Sequence, residues 1–404
     1  MTFQKPISLT TPIVRTLCFL FTGLMILPLT TAEAQYQQSF DLTISEYGLS
    51  FGNSERHTGL RFNYRDSQTD RIRGLNTTIW YPYDSENQSG NTYGVTLGLP
   101  GTGGGNLHGI SAAVIGIEAG GSVYGLQAGG VGLAAEGSIS GITLGGLGIV
   151  AGGQVSGIAV SPGGVISQSN TRGISLAGLG NITQGRFRGI GFGGLGLISE
   201  GAFSGIGVSG LGTVVRQSFR GLGFGGLAMI SEGSFSGIGV SGLGLVTQDR
   251  FRGFGVGGLA MVAENGISGA GFSSLATVST GTTRGFTFSG LAGVATEEMR
   301  GMHLSGLALH SAKMNGLFIS PTITTEATST GLFLAPAYNN AKENAHLRGI
   351  SVSAVNYVEG RQTGLAIGIV NIARELQGVQ IGLINYAGNN AGWARILPVV
   401  NAGF

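Results

Sequence analysis

Four arginines recur at 32-residue intervals, at Arg188, Arg220, Arg252 and Arg284. We call them the arginine row. Guanidinium groups pair with phosphate and carboxylate oxygens, so an ordered row could bind anionic lipid headgroups or a polyanionic surface polymer. The simpler interpretation is a solvated edge whose charges discourage aggregation between sheets. The arginine row is therefore a candidate binding site for an anionic partner, and the sequence does not specify it further.

No other residue pattern predicts chemistry. The segment Gly191–Gly196 matches the dinucleotide fingerprint G-x-G-x-x-G, but that fingerprint lies once between a strand and a helix. Here the pattern recurs from unit to unit with no predicted helix after it. The histidines, at His57, His108, His303, His310 and His346, lack the spacing of metal ligands. No G-x-S-x-G nucleophile elbow stands out. We therefore predict no catalytic residues, no cofactor and no metal, and no small-molecule substrate is evident.

Composition excludes several classes of protein. Of 404 residues, 77 are Gly and only 9 are Pro, and Gly does not fall at every third position as in collagen. Charged residues make up 10% and hydrophobic residues 42%, whereas disordered chains are rich in charge and poor in apolar residues. A net charge of +2 gives no electrostatic argument for nucleic-acid binding. The chain is therefore expected to fold, and nucleic acid is not expected as a partner.

The N-terminus predicts export. Lys5 and Arg15 precede an apolar run from Leu17 to Leu29, and an A-x-A ending follows at Ala32–Ala34. These are the parts of a secretory signal peptide, with cleavage expected after Ala34. The only cysteine, Cys18, lies inside this segment, so the mature chain would hold no disulfide and no thiolate metal site.

The elements that would position the arginine row are tandem repeats of one short unit. A Gly opens each unit from Gly109 to Gly301 at a constant 16-residue spacing, without insertion or deletion, and positions are numbered from this Gly. Apolar residues fall at positions two, four, seven and nine, and their period-two alternation is typical of β-strands. Position eight is always Gly or Ala, as at Gly196, and is expected to allow close approach of another backbone.

A second period, twice as long, overlies the first. Position sixteen alternates between Arg and Ser, and the turns alternate between Glu, as at Glu200, and Arg or Gln, as at Arg216. In an antiparallel sheet, alternate turns lie at opposite edges, so one edge would be acidic and the other basic. We therefore predict an all-β fold of antiparallel strands closed into a barrel- or ring-like array. The alternative is a β-solenoid of stacked coils, which would place Glu200 beside Arg216.

The flanks of the array differ from its centre. The expected organisation is a signal peptide at 1–34, an N-terminal β cap at 35–108, the regular array at 109–315, and divergent C-terminal repeats with a closing strand at 316–404. In the last segment, Gly349, Gly364 and Gly378 open the stretches GISVSAVN, GLAIGIVN and GVQIGLIN.

These C-terminal stretches carry a resemblance. The G-x-Q-x-G-L-x-N pattern at Gly378–Asn385, the L-P-x-x-N ending, the tandem GLG units and the segment Phe51–Asp66 resemble bacterial exported surface repeat proteins with Gly-rich tandem repeats. The resemblance implies export and a surface location, and it supplies no catalytic residue.

The expected function follows from export and repetition. We expect a non-enzymatic repeat protein of the cell envelope or cell surface, associated with the outer membrane, with a structural or interaction role. A tilted 12-residue strand would cross about 28 Å, close to the thickness of a bilayer core. The alternative is a secreted β-solenoid, a binding module or adhesin that recognises an anionic surface polymer or lipid.

Overall fold

The computed structural model describes residues 39–67, 69–82 and 89–403. The predicted signal peptide and its cleavage site lie outside these residues. Within them the chain forms strands β1 to β36 and one short 3₁₀ helix, Gly392–Arg395, so the all-β prediction is confirmed. None of the helical structure in this part of the chain is long and apolar enough to cross a membrane.

The strands follow one another as two per coil through most of the molecule. The N-terminal strands are β1 (Ser39–Ile44), β2 (Tyr47–Gly52), β3 (Arg56–Arg65), β4 (Arg71–Trp80), β5 (Asn91–Gly98) and β6 (Gly101–Gly104). The central strands are β7 (Asn106–Ala113), β8 (Gly116–Ala119), β9 (Val123–Gly129), β10 (Gly132–Ala135), β11 (Ile139–Gly145), β12 (Gly148–Ala151), β13 (Val155–Ser161), β14 (Gly164–Ser167), β15 (Thr171–Ala177), β16 (Gly180–Thr183), β17 (Phe187–Gly193), β18 (Gly196–Ser199), β19 (Phe203–Ser209), β20 (Gly212–Val215), β21 (Phe219–Gly225), β22 (Ala228–Ser231), β23 (Phe235–Ser241), β24 (Gly244–Thr247), β25 (Phe251–Gly257), β26 (Ala260–Ala263), β27 (Ile267–Ser273) and β28 (Ala276–Ser279). The C-terminal strands are β29 (Thr282–Ser289), β30 (Ala292–Ser305), β31 (Ala308–Ile319), β32 (Thr322–Thr325), β33 (Ser329–Ala341), β34 (His346–Ile367), β35 (Val370–Ala387) and β36 (Ile396–Gly403).

The chain is a β-solenoid of about 20 turns. In the regular array, one coil contains a seven-residue strand, a corner at positions six and seven, a four-residue strand and a polar turn. Each strand pairs in parallel with its equivalent in the next coil, as β17 does with β19 and β18 with β20. The predicted antiparallel barrel or ring is therefore wrong, and the solenoid alternative is correct.

The wrong prediction has a physical cause in the apolar pattern, whose period-two phase shifts by one residue between positions four and seven. A hairpin turn there would reverse the chain, whereas the observed corner redirects it across the coil, so successive units advance in one direction. Because the coils are parallel, Glu200 and Arg216 occupy equivalent sites in adjacent turns, directly after the register partners Ser199 and Val215. One column therefore holds both charges, and the separate acidic and basic edges do not exist.

The two ends of the stack differ from its centre in strand direction. β1 pairs antiparallel with β2, and β36 pairs antiparallel with β35. Between them the parallel register of position-one glycines extends beyond the regular array, through Gly59, Gly74 and Gly94 to Gly109. The coils are thus continuous with the N-terminal segment, and an antiparallel strand closes each end.

Side chains at positions nine and fifteen form the core of the central coils. Five phenylalanines stack with ring centroids 4.8 to 5.0 Å apart, close to the strand spacing: Phe187, Phe203, Phe219, Phe235 and Phe251. The facing strand contributes Leu197, Met229, Leu245 and Met261 to the same cluster. Each coil is too thin to bury its side chains alone, so the core exists only between stacked coils.

Near the C-terminus the core is partly polar. The final asparagines of the three C-terminal stretches, Asn356, Asn371 and Asn385, are fully buried. Their amides bond in sequence, from Asn356 Nδ2 to Asn371 Oδ1 at 2.7 Å and from Asn371 Nδ2 to Asn385 Oδ1 at 2.8 Å. A buried amide needs such partners, so the repeated Asn has a structural explanation within the solenoid.

Paired cysteines test the stacking directly. The double variant Glu200→Cys with Arg216→Cys is expected to form an intramolecular disulfide under mild oxidation, because the two Cα atoms lie about 4.8 Å apart. Disulfides require Cα atoms within about 7 Å. The control pair, Glu200→Cys with Glu232→Cys, lies two coils apart and should stay reduced. Mass spectrometry of the oxidised proteins measures both yields, and equal yields would contradict the parallel stack.

Candidate functional site

The arginine row lies on one ladder of the seven-residue strands. Arg188 pairs with Ser204 and Ser204 with Arg220, and the same alternation continues through Arg252 to Arg284. All four arginines are exposed, and no ion pair among the described residues involves them. They lie on the outward face of the strands and not at the sheet edge that the antiparallel model predicted.

The alternation explains the doubled period. Adjacent coils are about 4.8 Å apart, and like charges directly opposite each other on a sheet are destabilising. A Ser in every second coil separates the arginines at the backbone by about 10 Å. The 32-residue period therefore reflects the spacing of charges in a parallel stack. Its interpretation as a sign of antiparallel strands was wrong.

A glycine with positive φ lies beside each arginine. Gly189 has φ of 134°, a region that side chains rarely adopt. A Cβ at Gly189 would overlap the carbonyl oxygen of Gly173 in the neighbouring coil. Arg188 and Ile190 are two residues apart in the strand, so both face outward and are exposed.

Close approach of backbones is general at position one and local at position eight. A Cβ at Gly132 would lie 2.7 Å from the carbonyl oxygen of Gly148. A Cβ at Gly196 would meet only the carbonyl oxygen of Gly212, at 3.7 Å, and one at Gly180 or Gly244 would meet nothing within 4 Å. The expected close approach at position eight therefore holds in the first coils of the array and is wrong for these later coils, where an added side chain has room.

A broad apolar face, which the sequence did not predict, lies next to the arginine row. In one coil, Ile190, Phe192 and Leu195 are 40%, 40% and 52% exposed, whereas Leu197 is 1% exposed. Position seven is a similarly exposed Leu from Leu179 to Leu307, whereas positions two and four are exposed in some coils and half-buried in others. The signal that could have located these residues is Phe187, whose ring fills the interior: a Cβ at Gly191 would lie 2.9 Å from it.

The apolar face contains one recess. Position four is Ala at Ala112 and Ala128, between Leu97 and Leu144, and the small side chains leave a groove of about 600 Å³. Its lining is made of Leu, Val, Ala, Pro and Gly residues. The recess therefore continues the apolar face, and its lining residues offer no polar side chain to a ligand.

The histidines are dispersed. His303 is buried, with Nδ1 2.7 Å from Thr287 Oγ1, whereas His310, in the same unit, is near Glu326 with Nε2 3.5 Å from the carboxylate. His108 stacks between Tyr93 and Tyr124. Among the described residues no three His, Cys, Asp or Glu side chains group in a way that could hold a metal ion.

A buried ion pair near the N-terminus was missed by sequence reasoning. Arg61 and Asp66 are fully buried and bond to each other. Asn76 accepts from Arg61 Nη1 at 2.9 Å and donates to Asp66 Oδ2 at 3.0 Å, and Ser54 accepts from Arg61 Nε at 3.2 Å. A buried pair with its hydrogen bonds satisfied is a structural element, and it offers no free group to a ligand.

Comparison with known proteins yields no relative. No protein-family model, no curated protein and no solved structure matches the chain.

Proposed function

We propose that this chain is an exported, non-enzymatic β-solenoid that binds an anionic lipid surface of the cell envelope through its outward face. The observation that carries the proposal is the position of the arginine row beside three apolar ladders, of which positions two and four lie on the same strands and position seven lies at the adjoining corner. The predicted signal peptide supports export to the outer membrane or cell surface. The function is that of an interaction protein, with lipid as its partner and no cofactor.

The size of the apolar face supports a binding role. From Gly109 to Gly301 the stack extends about 60 Å, and positions two to seven add about 15 Å of width. The resulting area is on the order of 900 Å², whereas the largest apolar patch on an ordinary monomer covers about 300–600 Å². Burial of such a face in the acyl boundary of a membrane would be favourable, since apolar area contributes roughly 25 cal/mol per Å².

The charge beside this face identifies the lipid class. Arg188 and Ile190 face outward on either side of Gly189, so a face that inserts its apolar rows places the guanidinium groups at headgroup depth. Basic residues near a membrane contribute about 1 kcal/mol each toward anionic lipid. A zwitterionic surface would satisfy the apolar rows, but its net charge is zero, so it would not attract the arginine row electrostatically. Anionic phospholipid is therefore the proposed partner.

Vesicle binding tests the proposal. The mature chain is expected to float with phosphatidylglycerol vesicles and to bind phosphatidylcholine vesicles more weakly. The triple variant Ile190→Thr, Ile206→Thr, Leu222→Thr should weaken partitioning on the order of 100-fold, at about 1 kcal/mol per side chain. Thr keeps the β-branched shape that suits strands, so the fold should persist, as a circular dichroism melt would show.

The matched control substitutes the facing strand of the same three coils. Ile198→Thr, Val214→Thr and Ile230→Thr remove three outward apolar side chains on the far side of the coil from the arginine row. These changes should leave vesicle binding unchanged. If both triple variants bind like the parent, or if the parent binds a soluble anionic polysaccharide and no vesicle, lipid is not the partner.

A further inference from the structure

We propose that Arg172, Arg186 and Arg188, together with the side-chain amide of Asn170, form a binding site for a phosphate group. The four residues line a small cleft on the outer surface. Its volume is about 50 Å³, several times the minimum that holds one water molecule. The site shares Arg188 with the arginine row, but it holds three arginines within two adjacent coils.

The register brings two of these arginines side by side. Arg172 and Arg188 are direct partners in β15 and β17, without the intervening Ser found between later members of the arginine row. Arg186 lies two residues before Arg188, with buried Phe187 between them, so both arginines face outward. Three exposed guanidinium groups therefore surround one point.

The trio has no carboxylate to neutralise it. The sequence from 137 to 199 contains no Asp and no Glu, and no ion pair among the described residues involves these arginines. Another adjacent pair of arginines, Arg284 and Arg300, shows the contrast, since Arg300 Nε lies 2.7 Å from Glu298 Oε1. Like charges opposite each other are unfavourable, so an uncompensated trio points to an anion from outside the chain.

The lining offers donors and few acceptors. Asn170 uses its Oδ1 to accept the backbone N–H of Arg186 at 2.9 Å, so its Nδ2 amide is the group that it can offer to a ligand. Guanidinium groups donate in planar forks and accept nothing. A carboxylate is satisfied by one such fork, whereas a phosphate presents more oxygens and up to two negative charges, which suits several arginines. Phosphate is therefore the ligand class that uses the whole site.

The phosphate could come from a soluble molecule or from a lipid headgroup, and only the lipid source rests on the proposed function. Inorganic phosphate is the probe for the first source, titrated calorimetrically with acetate as the control anion. Vesicles containing phosphatidic acid, whose headgroup is a phosphate monoester, probe the second against phosphatidylglycerol vesicles of equal anionic lipid content. Tighter binding to phosphatidic acid assigns the lipid source, and saturable binding of inorganic phosphate without that preference assigns the soluble one.

Two variants separate the site from a general charge effect. Arg172→Ser restores the Arg–Ser alternation and should weaken phosphate binding at least tenfold, without lowering the melting temperature in phosphate-free buffer. Arg250→Gln is the matched control, because Arg250 and Arg252 flank buried Phe251 as Arg186 and Arg188 flank Phe187. The control coil lacks a third arginine and should bind phosphate as the parent does.

The outcomes are distinct from those of the vesicle experiment above. Loss of phosphate binding in Arg172→Ser but not in Arg250→Gln supports the site, even if the apolar face binds no vesicle. The proposal is overturned if the parent binds acetate as tightly as phosphate, if neither probe binds, or if the two variants lose affinity equally. A melting temperature that falls in Arg172→Ser with phosphate binding intact would also overturn it, because the arginine would then be structural.

Discussion

The variant Gly189→Ala is expected to lose about 2–6 kcal/mol of unfolding free energy, although it adds a single methyl group. Gly189 has φ of 134°, and forcing a side chain into such a region costs about 1–3 kcal/mol. The new Cβ would also overlap the carbonyl oxygen of Gly173, and overpacking typically costs about another 1–3 kcal/mol. Urea denaturation followed by circular dichroism measures the loss.

Gly196→Ala is the matched control, since it lies in the same coil and adds the same methyl group. Its Cβ would meet only Gly212 O, at 3.7 Å, so no clash is created. Replacement of Gly by Ala at an unstrained position commonly stabilises by about 0.4–1 kcal/mol through the unfolded chain. If the two variants unfold at the same urea concentration, the position-one ladder is not the close contact on which the stack depends.

The repeat could be predicted from sequence because every coil repeats the same geometric requirement. Gly189, Gly205 and Gly221 all need positive φ and all lack space for a Cβ, so the constant spacing of these glycines survives without insertion. The polar turns were also evident, because Glu200 and Arg216 fall where the chain must reverse across the coil. The strand class and the repeat length therefore followed directly from the residues.

The direction of the apolar residues could not be predicted, because alternation along a strand does not identify its inner face. Ile190 and Phe192 alternate with Gly191 and Gly193, and the usual interpretation buries the larger side chains. The interior is already filled by Phe187 from one strand and Leu197 from the other. A Cβ at Gly191 would lie 2.6 Å from Leu197 Cδ1, so only Gly fits inward there. The apolar pair is exposed as a consequence.

The candidate site could be predicted only in part, because the sequence pattern does not identify the direction of the strands. The arginine row was recognised as periodic, but periodic spacing fits both parallel and antiparallel strands. The predicted row begins at Arg188 and does not include Arg172, whose coil has Thr171 in place of the usual Phe. Only the parallel register shows that Arg172 lies directly beside Arg188 in the next coil. Because the coils stack in parallel, the absence of a Ser between Arg172 and Arg188 brings these two arginines side by side.

His303 is expected to make the solenoid less stable in acid. Burial lowers the pKa of His303 to about 4, from an ordinary value of 6.5, while a hydrogen bond with the backbone of Arg300 opposes the shift. Above pH 6.5 the ring is neutral in both folded and unfolded chains, so its contribution to stability is fully present. Between pH 6.5 and pH 4 only the unfolded chain takes up the proton. The loss should reach about 3 kcal/mol near pH 4.

The variant His303→Phe isolates this contribution. The ring of His303 already stacks on Phe318, with centroids 5.6 Å apart, and Phe318 stacks on Phe333, so a phenyl ring would continue the ladder. The substitution loses the contacts with Thr287 Oγ1 and with the backbone of Arg300 but also removes Nε2, which is buried without a hydrogen-bond partner among the described residues. At pH 7 the two proteins should therefore differ by no more than about 1 kcal/mol.

The unfolding free energy of both proteins is measured by denaturation at pH 7 and at pH 4. The carboxylates titrate in both proteins, so the difference between the two proteins reports the histidine. The stability of His303→Phe relative to the parent should rise by about 3 kcal/mol between these two pH values. His310→Gln is the control, because His310 is partly exposed near Glu326 and its removal should produce no comparable change. A stability difference that is the same at both pH values would mean that the ring is protonated in the folded chain, and that the ladder around His303 admits water. A rise in the relative stability of His303→Phe at pH 4 therefore indicates a dry interior at this coil, because only a dry interior disfavours the charged ring.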